Sequence, residues 1–222
     1  MKETWKKGMT AGCVLLLAFV LWTVLVVTVD VQPAGQNGTN IGLAGINTRF
    51  HELTGVHLSF YELTDKLELI AIAVCAAFGL LGLIQLIRGK SLKKVDTDII
   101  LLGIYYIIVI LAYFFFEKVV VNYRPVLIDG ALEASYPSST TLLVLSVMPT
   151  LIFQTNRRVK DRRIRAAVYI LTVLFTAFVA AGRLVSGVHW LSDIIGAVLL
   201  SAGLYLVYRS AVVRADQKKQ RQ

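Results

Sequence analysis

The chain has 222 residues, of which 56% are hydrophobic, and its mean hydropathy of +0.68 is too high for a soluble globular domain. The formal net charge of +9 could suggest nucleic acid, but the lysines and arginines are concentrated in alternate connections between apolar segments. That placement is typical of a membrane protein whose basic loops meet anionic lipid headgroups. We therefore expect a membrane partner and no nucleic acid.

Segments of about 20 apolar residues recur along the chain, which is the length needed to cross about 30 Å of hydrocarbon. Backbone polar groups in lipid must be satisfied internally, so each segment is predicted to be a helix. We predict an all-α integral membrane six-helix bundle that forms a single domain over residues 1–222. The predicted spans are Met9–Val29, Leu67–Ile87, Asp98–Phe116, Thr140–Gln154, Ala166–Ala181 and Leu191–Tyr208.

Charge placement predicts how the bundle is oriented. Eighteen of the 23 lysines and arginines fall at the N-terminus, in the second and fourth connections, and after the last span. By the positive-inside rule both termini are cytoplasmic, and residues 210–222 form a polar cytoplasmic tail. The 30–66 connection then faces outward, and its aromatic and apolar residues indicate a segment lying on the membrane surface. His51 and His57 in this loop are poorly spaced to share a metal and are predicted to be structural or interfacial.

Three polar clusters lie beside the later spans, all on the predicted outward side. They are Glu117–Pro125, Tyr136–Thr141 and Arg183–Asp193. Charged and polar groups at membrane depth are costly and usually functional. Because loops on one side of a membrane can converge, we expect these clusters to form one site.

The residue types in the first two clusters suit a phosphate group. Arg124 and Arg183 offer charge-assisted, bidentate donors. Ser138, Ser139 and Thr140 stand at a predicted helix start, where hydroxyls and free backbone N–H groups favour anions. Taken singly, the same residues also fit an interfacial anchor and an ordinary helix N-cap, so their joint occurrence is what favours a phosphate site.

The third cluster contains a candidate nucleophile. If the chain is already helical at His189, then Asp193 lies about one turn further along on the same face. A carboxylate there could hold the imidazole in one tautomer and stabilise its charged form. His189 is therefore predicted to be a nucleophile or base, with a histidine packed near the membrane surface as the alternative.

The three clusters resemble the signature of the type-2 phosphatidic acid phosphatase superfamily of membrane lipid phosphatases. That signature is a lysine, six residues and Arg-Pro; then Pro-Ser-Gly-His; then an arginine, five residues, a histidine, three residues and an aspartate. The third part matches in full at Arg183, His189 and Asp193, and Arg124 with the following proline matches the end of the first. The resemblance implies a six-span core and a mechanism without metal or cofactor, in which His189 attacks phosphorus to form a phosphohistidine. It also implies that Asp193 orients His189 while the arginines and the second cluster hold the phosphate.

Two departures from the signature bear on activity. Lys118 is separated from Arg124 by five residues instead of six, and Glu117 occupies the expected place. One residue is about 100° of helical rotation, so Lys118 can bind phosphate only if the local backbone departs from a regular helix. Thr140 stands where the signature has a histidine that acts as general acid, and a threonine cannot protonate a leaving group near neutral pH.

Loss of a general acid typically costs about 10²–10⁴-fold in rate. The cost is smallest when the leaving group is a weak base, such as a lipid monophosphate with a second pKa of about 6.

The sequence therefore predicts a phosphatase of a polyprenyl (undecaprenyl-type) diphosphate at the outer face of a bacterial cytoplasmic membrane. The alternatives are a phosphatidic acid or phosphatidylglycerophosphate phosphomonoesterase, a lipid phosphotransferase, and a non-catalytic lipid-phosphate binder. In the enzyme, His51, His57 or a chain of water molecules is a conceivable proton source.

Overall fold

The computed structural model describes residues 4–221, and their regular structure is helical apart from three isolated β-bridges. The all-α prediction is therefore confirmed. Short 3-10 turns occur at Gln36–Gly38 and Leu92–Lys94. The α-helices of the described chain are α1 (Thr4–Thr28), α2 (Ala44–Thr54), α3 (Leu58–Gly89), α4 (Thr97–Lys118), α5 (Ser139–Arg158), α6 (Arg162–Val185) and α7 (Leu191–Lys219).

Five of these helices, α1, α3, α4, α6 and α7, are long and apolar enough to cross a membrane, which makes the chain a multi-pass membrane protein. The predicted fourth span corresponds to α5, whose composition is more polar than that of the other long helices. Ser146, Thr150 and Gln154 on α5 are fully buried. Because α3, α6 and α7 pack around α5, its polar side chains meet protein instead of lipid. The hydrogen bond between Tyr106 Oη and Thr150 Oγ1 (2.7 Å) shows how such a group is satisfied.

Two helices, α3 and α7, extend by more than two turns beyond the predicted spans. Helix α3 begins at Leu58, well before the predicted start at Leu67, so the predicted outward loop 30–66 contains the first turns of α3 as well as α2. Helix α7 continues to Lys219, past the predicted end at Tyr208 and through most of the predicted polar tail. Hydropathy identifies only the apolar part of a helix. Both extensions are more polar than the predicted spans, so the sequence did not reveal them, and contacts with the rest of the protein hold them.

One end of the bundle, which we call the basic end, holds the α5–α6 turn and a closed network of ion pairs. Asp98 of α4 is buried and lies 3.1 Å from Arg157 Nε and 2.8 Å from Arg158 Nη1. Arg157 Nη1 also lies 2.6 Å from Asp216 Oδ2 near the end of α7. This network ties α4, α5 and α7 together.

At the opposite end, the site end, the first helix contacts the start of the last. Trp22 Nε1 of α1 donates to the backbone carbonyl oxygen of Ser192 at 3.0 Å. Thr23 Oγ1 shares a 2.7 Å hydrogen bond with Tyr136 Oη, which belongs to the second polar cluster. These contacts join α1 to the polar residues at the site end of the bundle.

Candidate active site

His189 lies in the loop between α6 and α7, not on a helix. Helix α7 begins at Leu191, with Trp190 as its N-cap, so the condition under which His189 and Asp193 would share a helix face is not met. The loop still brings the imidazole close to Asp193, with Nδ1 3.6 Å from Oδ2. The turn at Ser186–Trp190 brings the two side chains together although His189 precedes the helix.

The closest partner of the His189 ring is a backbone carbonyl. Nδ1 lies 3.1 Å from the carbonyl oxygen of Ser135, and Nε2 has no hydrogen-bond partner in the described chain. A carbonyl oxygen only accepts, so Nδ1 carries the proton and the neutral ring keeps its lone pair on Nε2. Burial lowers the pKa of His189 well below its usual value, and the positive charges of Arg124 and Arg183 lower it further. His189 is therefore neutral near pH 7.

Asp193 is fully buried at the third position of α7. Its Oδ2 accepts a 2.9 Å hydrogen bond from the Trp190 backbone N–H, which caps the helix and fixes the loop that carries His189. A carboxylate near a helix N-terminus is also favoured by the helix dipole. The same side chain thus holds the loop and places a negative charge beside the imidazole.

Arg183 is in the last turn of α6 and has only 1% of its surface exposed. Its Nη1 donates to the Tyr61 carbonyl oxygen at 3.3 Å, and Nη2 lies 3.5 Å from Asp65 Oδ1. Its Nε is buried without a hydrogen-bond partner among residues 4–221. Burying an unpaired charged donor is costly, which is expected where a ligand anion completes the site.

Arg124 is held by a short hairpin-like loop between α4 and α5. Its backbone N–H donates to the Glu133 carbonyl oxygen at 3.0 Å, and a β-bridge joins Tyr123 to Ala134. The Arg124 side chain is buried, with Nε 3.1 Å from Glu133 Oε2. Its Nη1 has no hydrogen-bond partner in the described part of the chain. Both predicted phosphate-binding arginines are therefore buried, and each has at least one N–H donor without a hydrogen-bond partner in the described chain.

The second cluster opens α5 as predicted. Ser138 is the N-cap, and its backbone N–H donates to the Asp193 carbonyl oxygen at 3.2 Å. The Ser138 hydroxyl is paired with Thr141 Oγ1 at 2.9 Å, so it is engaged within the protein. Thr140 Oγ1, in contrast, is buried and lacks a hydrogen-bond partner in the described chain.

A polar cavity of about 590 Å³ brings four of the predicted phosphate-binding residues together. Arg124, Arg183, Ser139 and Thr140 line it. His189 is buried and is not among the lining residues, but both arginines are close enough to lower its pKa. The cavity lining does not include Lys118, which is exposed at the end of α4, whereas Glu117 does line it. The structure therefore does not bring Lys118 to the site. The cavity's acidic lining residues are Asp65, Glu68, Glu117 and Glu133.

The family model of the PAP2 superfamily matches residues 99–216, which is just over half of the chain and includes all three polar clusters. The chain belongs to the PAP2 superfamily. Among solved structures, it is similar to the crystal structure of the first transmembrane PAP2-type phosphatidylglycerolphosphate phosphatase from Bacillus subtilis. The two share 16% sequence identity with a TM-score of 0.61, and the match covers 93% of this chain and 96% of the other. Comparison with curated proteins gives no match.

Helix α3 contributes to this PAP2 site although none of the three clusters includes it. Tyr61, Asp65 and Glu68 are spaced four and three residues apart, which puts them on one helix face. The Tyr61 ring contacts both arginines, Asp65 pairs with Arg183, and Glu68 lines the cavity. The spacing is visible in the sequence, but the prediction divides the three residues, with Tyr61 and Asp65 in the outward loop 30–66 and Glu68 in the second span.

The segment before α3 supports the loop that carries His189. Asn47 of α2 is fully buried, donating to Ser192 Oγ at 2.9 Å and accepting from the Ser192 backbone N–H at 3.1 Å. Gly55 and Gly187, both with positive φ, touch so closely that a Cβ on Gly187 would lie 2.0 Å from the Gly55 carbonyl oxygen. This part of the 30–66 segment is therefore packed against the site.

The two histidines of that segment lie outside the cavity lining. The His51 ring is 5.5 Å from the ring of Trp190, and His57 Nε2 lies 2.9 Å from the Thr54 carbonyl oxygen. Because neither lines the cavity, we do not expect either to be the proton source. No group of three metal-ligating side chains occurs within residues 4–221.

An apolar groove of about 310 Å³ adjoins the polar cavity between α3, α4 and α5. Glu68, Tyr113 and Ser139 line both, so the groove continues directly into the cavity. The other groove residues include Ile72, Val109 and Leu142. The geometry suits a molecule with one phosphorylated end and one hydrocarbon end.

Proposed function

We propose that this PAP2 protein is a lipid phosphatase that hydrolyses a polyprenyl diphosphate, of the undecaprenyl type, through a phosphohistidine on His189. The observation that carries the proposal is the free Nε2 of His189, whose lone pair is fixed by the Nδ1 contact with Ser135. Two buried arginines with unpaired donors line the adjoining cavity, and an apolar groove leads into it. A nucleophile, an anion site and a hydrocarbon site together suit a lipid phosphate.

In this mechanism Nε2 attacks the terminal phosphorus as Arg124 and Arg183 stabilise the developing charge. The bond between that phosphorus and the bridging oxygen breaks, and its electron pair leaves with the lipid monophosphate. Asp193, 3.6 Å from Nδ1, balances the positive charge of the phosphorylated ring. Water then cleaves the N–P bond, which releases inorganic phosphate, returns the electron pair to Nε2 and leaves a proton for solvent.

A diphosphate is favoured because Thr140 supplies no general acid. Departure of a lipid monophosphate needs little protonation, whereas an alkoxide from a phosphomonoester needs it strongly. The phosphomonoesterase alternative has one observation in its favour, the fold similarity to a phosphatidylglycerolphosphate phosphatase. At 16% identity that similarity bears on the fold, so the leaving-group argument decides between them.

The orientation that we propose follows from charge. With α5 as a sixth crossing, both termini, residues 210–222 and the basic end lie in the cytoplasm, and the site faces outward across a bacterial cytoplasmic membrane. The proposed reaction uses no metal or cofactor, because His189 serves as the nucleophile and the arginines supply the positive charge.

The direct test measures phosphate release by purified protein from undecaprenyl diphosphate, phosphatidic acid and phosphatidylglycerophosphate side by side. We expect turnover of the diphosphate to be fastest, loss of all turnover in His189→Ala, and normal turnover in the matched control His57→Ala. Equal or faster turnover of phosphatidic acid would overturn the leaving-group argument.

Trapping separates the remaining alternatives. Acid-labile, base-stable label on His189 from a terminally labelled substrate supports the enzyme. Transfer of that label to an added alcohol in preference to water would indicate a phosphotransferase. Tight lipid binding with neither label nor product would indicate a non-catalytic binder.

A further inference from the structure

One aromatic ring lies against both arginines of the proposed phosphate site. The Cζ atom of Arg183 lies 4.6 Å from the centroid of the Tyr61 ring, and that of Arg124 lies 5.5 Å from it. Tyr61 is in the first turns of α3, outside the three clusters that resemble the family signature. The two arginines come from α6 and from the α4–α5 loop, and the Tyr61 ring is a contact that both of them make.

The remaining contacts of the arginines leave part of each guanidinium free. Asp65 lies 3.5 Å from Arg183 Nη2, and Glu133 lies 3.1 Å from Arg124 Nε. The two carboxylates are 55% and 40% exposed, whereas the arginine side chains are 1% and 8% exposed. Arg124 Nη1 and Arg183 Nε have no hydrogen-bond partner within the described chain. Each arginine is thus held by the ring and one carboxylate while another donor remains available.

Holding two buried cations near each other is unfavourable, because like charges repel strongly where water is excluded. The negative face of an aromatic ring attracts a cation and offsets part of that repulsion without occupying the N–H donors. A carboxylate also offsets the charge, but it consumes the donors that a phosphate would use. An aromatic ring is therefore suited to keep two arginines converged and still ready to bind an anion.

We propose that Tyr61 is a positioning residue that holds Arg124 and Arg183 converged on a single phosphate group. The inference rests on the proposed function, since it gives the two arginines a shared phosphate ligand. It requires the ring of Tyr61 and not its hydroxyl. The contact between the Tyr61 carbonyl oxygen and Arg183 is made by the backbone and survives substitution.

The test compares Tyr61→Leu and Tyr61→Phe with the wild-type protein and with Tyr169→Leu, a control tyrosine that is 54% exposed on α6. Binding of inorganic phosphate is measured by isothermal titration calorimetry, and KM and kcat are measured on undecaprenyl diphosphate. We expect Tyr61→Leu to weaken phosphate binding and to raise KM by about 10-fold, from two lost cation–π contacts. The Phe variant, which keeps the ring, and the control should stay within about two-fold of wild type.

The outcomes separate this inference from the proposed function. Wild-type phosphate affinity in a folded Tyr61→Leu protein would overturn the role of Tyr61 and leave the phosphatase proposal intact. An equal loss in Tyr61→Phe would assign the effect to the hydroxyl and would also overturn the inference. Absence of phosphate binding and of turnover in wild type would overturn both. If Tyr61→Leu does not fold, an unchanged KM and phosphate affinity in a folded Tyr61→Trp protein supports the need for a ring, and a loss there contradicts it.

Discussion

Two pairs of arginines, Arg157 with Arg158 at the basic end and Arg124 with Arg183 at the site end, lie beside carboxylates but differ in how completely their donors are paired. At the basic end, Arg157 contacts Asp98 and Asp216, and Arg158 contacts Asp98 and Asp96. None of the described donors of these two arginines is buried without a partner. At the site end, Arg124 and Arg183 each retain such a donor. A closed network stabilises a fold, whereas an open one is prepared for a ligand.

The first way to test this comparison removes one arginine from each end. We expect Arg183→Ala to lower kcat/KM by about 10³-fold, since a buried charge that stabilises the transition state is lost. Arg157→Ala should leave kcat/KM within about two-fold of wild type and lower the thermal unfolding temperature instead. Steady-state kinetics and a thermal melt of each variant check both statements. Similar kinetic losses at both ends would mean that the distinction between the two networks is wrong.

A second test removes the carboxylate charge at each end while keeping the side-chain shape. Asn at position 193 can still accept from the Trp190 N–H, so Asp193→Asn should keep the helix cap and lose about 10²-fold in kcat through the missing charge beside His189. Asp98→Asn removes one carboxylate partner from each of two arginines and should cost about 3 kcal/mol of unfolding free energy with kcat unchanged. The measurements are kcat and a denaturant titration. Normal turnover in Asp193→Asn would contradict the role of its charge beside His189.

A third test concerns the Thr140 hydroxyl in the cavity wall, which is buried without a hydrogen-bond partner in the described chain. Thr140→His should raise turnover of phosphatidic acid by about 10-fold, because a general acid is restored for an alkoxide leaving group. Turnover of the diphosphate should change little. Thr141→His, at the adjacent position on α5, is the control. A gain on both substrates, or on neither, would contradict the role assigned to position 140.

The smallest expected effect is a pH dependence. Burial and the two arginines lower the pKa of His189, so its neutral, nucleophilic form persists as pH falls below the usual histidine value of about 6.5. The acid limb of the kcat/KM profile should therefore lie below pH 6.5, with a plateau above it. Arg124→Gln removes one of the positive charges and should move that limb upward. An acid limb at or above about 6.5 in wild type would contradict the burial argument.

The sequence predicted the helices that have apolar, lipid-facing surfaces. It also predicted the site residues that lie close together along the chain. Arg183, His189 and Asp193 lie within a short stretch, and their proximity follows from the loop before α7, where Asp193 accepts from the Trp190 N–H, instead of from a shared helix face. Tyr61 and Asn47 could not be assigned roles from the sequence, since their partners Arg124, Arg183 and Ser192 lie far along the chain and their roles arise from packing. The predicted fourth span is confirmed as the helix α5, its crossing of the membrane stays a prediction, and its central position explains why its polar residues are tolerated. Lys118 was predicted from the family signature alone, and the backbone directs Glu117 to the cavity instead.

The contacts between α1 and α7 have a consequence for biosynthesis. Trp22 and Thr23 meet Ser192 and Tyr136, which are translated at least a hundred residues later. His189 itself emerges only when the last helix is about to be made. Because Asp193 of α7 fixes the loop that carries His189, a nascent chain completes the site only when its final helix has formed. Under the proposed function, phosphate release would therefore report that the last helix is in place, and a product truncated before α7 would be inert.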